Sequence, residues 1–359
     1  MSGLSLPPRP LASLKVVEFE GLGPGPLAGW MLAGLGAQVT LVRRPGGNPM
    51  ADQLGGPHGT RLVDGKTPVT LDLKSPAGRA AAQALIAGHD ALIEGNRPGV
   101  MERLGLGPAD AAGLNPKLVY GRMTGWGQTG PLAQAAGHDL NYVALSGMLS
   151  LGARRGGEAP IVPPTVLGDA GGALGLALGI VSGVLAARQP GGRGCVVDAA
   201  IVDVVAMLGT LALWIHGGGQ LAGPRADSPF HDSPFYEVYR CADGGCISLA
   251  ALEPAFWALA LTRLGLDDIA PDSQYDVRTW PALKARLVAL FAGQPRSHWD
   301  ARLEGSDACY APVLGLAEAA AHPHNAARGT LRVDAATGQI HAAMAPRFAP
   351  LDGPTDQDR

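Results

Sequence analysis

The chain is sparing with the residues that most often announce a function. Cysteine occurs four times in 359 residues, at 195, 241, 246 and 309. No two of these stand at the spacing of a zinc knuckle or a redox pair, so they are read as reduced core thiols of a cytoplasmic protein. Charge is scarce as well, with 16% charged residues and a formal net charge of −3. Such a balance gives no general attraction to nucleic acid or to an acidic bilayer. No run clearly long enough to span a membrane occurs either. The most apolar stretch, "AGGALGLALGIVSGVLAA" (170 to 187), is rich in Gly and Ala and falls just short of the roughly 20 residues a spanning helix needs, so a buried helix is expected. The opening "MSGLSLPPRP" lacks the apolar core of a secretory signal, and the ending "TDQDR" is no peroxisomal address.

What is present points to a large α/β protein. With 47% apolar residues, the chain can bury a sizeable core, and its length suits two domains. The 52 glycines and 30 prolines are spread out without a repeat. In the first 125 residues short apolar runs alternate with helical patterns, the mark of a mainly parallel sheet covered by helices. Strands are expected at 15–20, 38–43, 68–73, 91–95 and 118–124. Between the third and fourth a helix is framed by Ser75 as N-cap, Pro76 in the first turn and Gly88 at the end. From 169 to about 215 two long apolar helices are expected around the strand "GCVVDAA". The Gly/Pro-rich stretch 216–229 then reads as a linker. A smaller α+β domain follows, with a hairpin of "FYEVYR" and "CISLAAL", helices near 254–264, 280–292 and 297–303, and the segment "ACYAPVL". The expected domains are 1–220 and 221–325, with 326–359 returning to the first.

Two histidines lie in Gly-His-Asp tripeptides. His89 falls between a helix and a strand, at the sheet edge carrying strand amino ends, and is expected to be a surface loop residue. His138 follows a strand and a Gly-rich loop and precedes a helix, which places it on the edge where α/β sheets bind ligands. Neighbouring residues point about 100° apart on a helix, so Asp139 cannot orient the His138 ring and suits an N-cap or first-turn position. Asp169 in "VLGDAGGALG" is a carboxylate at the head of a helix, either a plain cap or a reactive acid. Glu253 in "LEPAFW" is a third candidate, again with capping as its bland alternative. The first loop, "EGLGPGPLAG", loosely matches a dinucleotide fingerprint. Arg43 and Arg44 at the end of the second strand suit a ribose phosphate, as in NADP or in coenzyme A, with NADP the lesser reading.

Taken in order, "VVEFEGLGPGPLAGWMLAGLGAQV", "VTLDLKSPAGRAA", "RPGVMERLGLGP", "GRMTGWGQTGPLAQAAGHDLNYVALSGMLS", "GDAGGALGLALGI", "SPFYEVYRCADG", "LEPAFW" and "SDACYAPVL" resemble the family III CoA-transferases, and within them the 2-methylacyl-CoA racemases. The resemblance runs over nearly the whole chain. It implies a Rossmann-like large domain with a parallel sheet, a small α+β domain and an interlocked homodimer. It also implies an acyl-CoA thioester substrate from lipid or fatty acid metabolism, with coenzyme A carried by the substrate and no separate cofactor. His138 and Asp169 match the acid/base pair, and Glu253 matches a carboxylate supporting the histidine from the other subunit. Matching coenzyme A or substrate contacts are Arg44, Leu71, Asp72, Leu73, Lys74, Arg97, Gly137, Asp139, Leu140, Asn141, Tyr142 and Tyr236. Arg43 and Asp64 depart from the racemases, which carry an acid and a base at those points.

Inverting a carbon beside a thioester takes a proton from one face and returns one to the other, so two groups must reach it. The Asp169 carboxyl would then have to be held protonated in apolar surroundings, with backbone N–H groups at its helix start stabilising the enolate. The alternative is a CoA transferase of the same family, with Asp169 as the attacking nucleophile.

Overall fold

The computed structural model describes residues 9–55, 60–152, 160, 162–221, 227–349 and 351. Among these, residues up to 209 and from 344 onward form one compact unit, and residues 210–343 form another. The limits fall at 209/210 and 343/344, where 220/221, from the glycine- and proline-rich stretch, and 325/326 were expected.

In the first unit the order is β1 (Lys15–Phe19), α1 (Pro24–Gly34), β2 (Gln38–Arg43), α2 (Pro49–Gly55), β3 (Lys66–Thr70), α3 (Pro76–Gly88), β4 (Ala91–Glu94), α4 (Val100–Arg103), α5 (Pro108–Leu114), β5 (Val119–Thr124), α6 (Asp139–Leu145), α7 (Asp169–Ala187), β6 (Val196–Ala200) and α8 (Ile201–Leu208). The strands form one parallel sheet in the order β3-β2-β1-β4-β5-β6. Both faces are covered, which is why β1 and β4 are largely apolar, with Glu18 and Glu94 as the exceptions. One face packs Val16, Ile93 and Val119 with residues of α1 and α7. The other packs Val17, Leu92 and Tyr120 with residues of α3, α4 and α5. The third strand begins two residues before the expected 68 and ends at Thr70. After it Leu71 N–H still reaches the Arg43 carbonyl, then the Asp72 carboxylate accepts Lys74 N–H and turns the chain. Ser75 Oγ caps α3 through Gly78 N–H at 3.0 Å, as its position predicts.

Helix α7 has the length and apolarity of a membrane span, but its Leu176, Ile180 and Val184 are buried in the sheet core. Its glycines allow the close approach: a Cβ on Gly183 would stand 2.9 Å from Val119 Cγ1, and one on Gly179 2.5 Å from Val197 Cγ1. The second long helix expected in this region is instead two short ones, α8 and α9 (Thr210–Gly217), broken at Gly209 where the units divide.

The second unit continues from α9 with β7 (Tyr236–Arg240), β8 (Cys246–Ala250), α10 (Pro254–Leu264), α11 (Trp280–Ala292), α12 (Arg296–Leu303), β9 (Tyr310–Val313), α13 (Leu316–Ala321), α14 (Pro323–Arg328), β10 (Leu331–Val333) and β11 (Ile340–Ala342). Strands β7, β8 and β9 form an antiparallel sheet whose first turn is the expected hairpin, pairing Arg240 with Cys246. Its core is aromatic, with Phe235, Trp257, Trp280, Phe291 and Trp299 all buried. Of the proposed linker, residues 222–226 lie outside the described residues.

Candidate active site

In a sheet of this order the strand sequence reverses between β1 and β4, and the loops leaving their carboxyl ends diverge to open a crevice. A cavity of about 360 Å³ occupies that place. Its wall is made by the loops after β1, β4 and β5, and both His138 and Asp169 line it, together with Arg97, Gly137 and Tyr142. His138 is the N-cap of α6, its N–H donating to Asn141 Oδ1 at 3.0 Å, and its ring is exposed. Asp169 heads α7 and is half-buried. Gly23, at a φ of +68°, passes beneath it, and a Cβ there would stand 3.3 Å from Asp169 Oδ2. Burial pushes the Asp169 carboxyl above the usual range, the neighbouring Asp139 charge adds to the effect, and His138 opposes both. Burial and the Asp139 charge both disfavour the charged carboxylate.

Tyr142 forms one side of the site. Its hydroxyl donates to the Gly137 carbonyl, and its ring meets Trp126 edge-on with centroids 4.7 Å apart. Burial, and then the Asp169 charge, push the phenol up. Gly125 and Gly137 carry no side chain because the two rings occupy that space.

Beside this cavity a second, of about 640 Å³, shares Phe19 and Asn96 with it and is lined by Arg43, Arg44, Leu71, Asp72, Leu73 and Lys74. Both arginines are tied to Glu20, Arg44 Nε at 2.9 Å and Arg43 Nε at 3.4 Å. Glu20 thus supplies an acid beside Arg44 although position 43 is an arginine.

Other residues fall elsewhere. Asp139 points its carboxylate at the start of α7, accepting Asp169 N–H at 2.8 Å and Thr165 N–H at 3.0 Å. Ala170 N–H donates to the Thr165 carbonyl. The amides of Asp169 and Ala170 are therefore engaged within the protein, so neither of these two is the donor that an enolate at this helix start would need. Asn141 caps α6, and Leu140 is 54% exposed. His89 is not a loose surface residue: it is half-buried, bonded to the Leu85 carbonyl and Thr40 Oγ1. In the second unit, Glu253 is the backbone N-cap of α10 but its carboxylate makes no capping bond and is exposed. Tyr236, 38% exposed, meets Phe230 edge-on.

Several residues at the site escaped the sequence reading. Trp126 lines the cavity, and its indole N–H is buried without a hydrogen-bond partner among the described residues. Glu18 and Glu94 are wholly buried. Glu94 accepts Asn96 N–H at 2.7 Å and Arg122 Nε at 3.0 Å, fixing the loop after β4. The signal for both was visible: a carboxylate inside an otherwise apolar strand must have a partner.

A doubly wound sheet with acid/base groups at its switch point defines an α/β enzyme, and the comparisons narrow it. Residues 11–356 match the model of CoA-transferase family III, and the chain belongs to that family of CoA-transferase and racemase enzymes. It is 38% identical to human alpha-methylacyl-CoA racemase over 351 residues, 95% of this chain and 86% of that one. It is 30% identical to the acetyl-CoA:oxalate CoA-transferase of Acetobacter aceti over 342 residues, 90% of this chain and 86% of that one. Among solved structures, a CAIB/BAIF family protein from Brucella suis superposes with a TM-score of 0.78 at 26% identity, covering 95% of this chain and 93% of that chain.

Proposed function

We propose that the protein is a racemase that inverts the C2 centre of 2-methylacyl-CoA thioesters by two-base 1,1-proton transfer. The observation that carries this is the shared cavity: His138 and Asp169 line one crevice, and the Asp169 carboxyl is pushed toward its protonated form. In one direction the His138 imidazole removes the C2 proton, and the C–H electron pair moves onto the thioester oxygen as an enolate. Asp169 then gives its proton to the other face of C2, and the electron pair returns to the carbonyl. The two groups end with their protons exchanged, ready for the reverse direction. Nothing but the coenzyme A of the substrate is needed. The arginine-lined hollow after β2 is assigned to that coenzyme A, and Glu253, free of capping duty, is assigned the support of the imidazole within a homodimer.

A transferase would use Asp169 alone as the attacking nucleophile, whereas His138 on the same cavity is the second acid/base group that inversion of C2 needs. The test is incubation with 2-methylacyl-CoA in heavy water. The wild type should exchange the C2 proton and lose chirality, and His138→Ala and Asp169→Asn should each slow both by about 10²-fold or more. Transfer of coenzyme A to an added free acid, with a hydroxylamine-sensitive acyl group on Asp169, would overturn the proposal in favour of the transferase.

A further inference from the structure

We propose that Asp139 is a positioning residue, a clasp that sets the separation of the two acid/base groups, and that its carboxylate is not a coenzyme A contact. The inference deepens the racemase reading and rests on it.

Asp139 follows His138 directly, so its backbone moves with the histidine. Its carboxylate belongs to the other partner: Oδ1 accepts Asp169 N–H at 2.8 Å and Oδ2 accepts Thr165 N–H at 3.0 Å. One side chain therefore joins the first residue of α6, next to the His138 N-cap, to the first residue of α7. The fit is close, because a Cβ on Gly168 would stand 2.2 Å from Asp139 Oδ1. Thr165 holds a φ of +63°, which a β-branched residue adopts only when its surroundings impose it. The restraints at that point are the Asp139 bond to its N–H and the Ala170 N–H bond to its carbonyl. The loop entering α7 is thus folded around the Asp139 carboxylate.

The groups acting electrostatically on Asp169 are Asp139 and His138, and Tyr142 in turn feels the Asp169 charge. Of these only Asp139 adds negative charge, which disfavours a second negative charge on Asp169. The same contact that places the acid thereby helps it hold its proton.

The test uses the full-length protein with Asp139→Asn, which removes the charge and leaves one of two acceptor oxygens, and Asp139→Ala, which removes both. Exchange of the C2 proton is followed across pH with kcat and KM separated, and the Asp169 carboxyl is titrated by carbon-13 NMR without turnover. We expect kcat to fall about 10-fold in the asparagine variant and on the order of 10²-fold in the alanine variant, with KM unchanged. The Asp169 titration, and the limb of the pH profile that follows it, should move to lower pH in both. A raised KM at unchanged kcat would overturn the proposal and return Asp139 to coenzyme A binding. An unmoved Asp169 titration would also overturn it. Failure of the wild type to exchange the C2 proton would instead sink the racemase reading, while the titration would still decide whether Asp139 acts on Asp169.

Discussion

Tyr142 is held by contacts that leave no slack. A Cβ on Gly125 would stand 2.0 Å from its ring atoms, and the backbone of Gly125 does not use the left-handed region. Alanine there is therefore objectionable only for its methyl group. Forcing it in displaces Tyr142 from Trp126, and such overpacking costs about 1–3 kcal/mol. Gly125→Ala should lower the urea midpoint accordingly and alter the near-ultraviolet dichroism that the Trp126 and Tyr142 contact produces. An unchanged spectrum with full stability would mean that the ring is not fixed as described. At this scale His138 and Asp169 were legible because each stands at a strand-to-helix or loop-to-helix junction of the ligand-binding edge. The role of Asp139 was not. Its partners are 26 and 30 residues away in sequence, and no local pattern records which distant helix a carboxylate will cap.

Among the elements, α1 is fastened to the sheet by a buried ion pair. Lys66, at the start of β3, donates to Glu18 on β1 at 2.6 and 2.8 Å and to the Pro26 carbonyl at 2.9 Å, with both side chains only 1% exposed. Pro26 belongs to the first turn of α1, which borders the cavity, so the pair sets the loop beneath Asp169. Burial pushes the Glu18 carboxyl up to about 7 and the Lys66 amine down, while each partner pulls the other back. A carboxyl raised from 4.5 to about 7 stabilises the fold by holding its proton, fully so below 4.5, and the contribution is lost as pH rises through 7. Removing Lys66 takes away the attraction that offsets this loss. Lys66→Met should therefore cost about 3–5 kcal/mol near neutrality, more at pH 8 than at pH 5.5 in urea titrations. Glu18→Leu combined with Lys66→Met should recover most of the stability. Equal losses at both pH values would contradict the assignment. The strands were legible as apolar runs because a parallel sheet covered on both faces leaves them no polar side. The break between α8 and α9 was not, because Gly209 lies inside a mainly apolar stretch with helical pattern on both sides.

At the scale of the molecule, each unit carries apolar surface that it leaves uncovered. In the first, Leu174, Leu178 and Leu185 of α7 are 54%, 59% and 61% exposed, along the face opposite the one buried in the core. In the second, Leu211 and Trp214 of α9 are 65% and 74% exposed. Isolated exposed leucines are ordinary, but a stripe along one helix marks an interaction surface. The composition gave no hint of this, since buried and exposed leucines are alike in a sequence. The Gly/Ala-rich character of α7 disguised a helix with two apolar faces as a candidate membrane span. The homodimer of the proposed function would place a second copy of the chain over these surfaces. Light scattering on the purified wild type should give twice the 36.7 kDa chain mass, and Leu178→Glu combined with Leu185→Glu should lower that mass or drive aggregation. Because Glu253 is assigned a supporting role within the dimer, the same variant should also lose most C2 exchange although it leaves His138 and Asp169 in place. A wild type that runs at the mass of a single chain yet exchanges the C2 proton at full rate would refute both the dimer and the role given to Glu253.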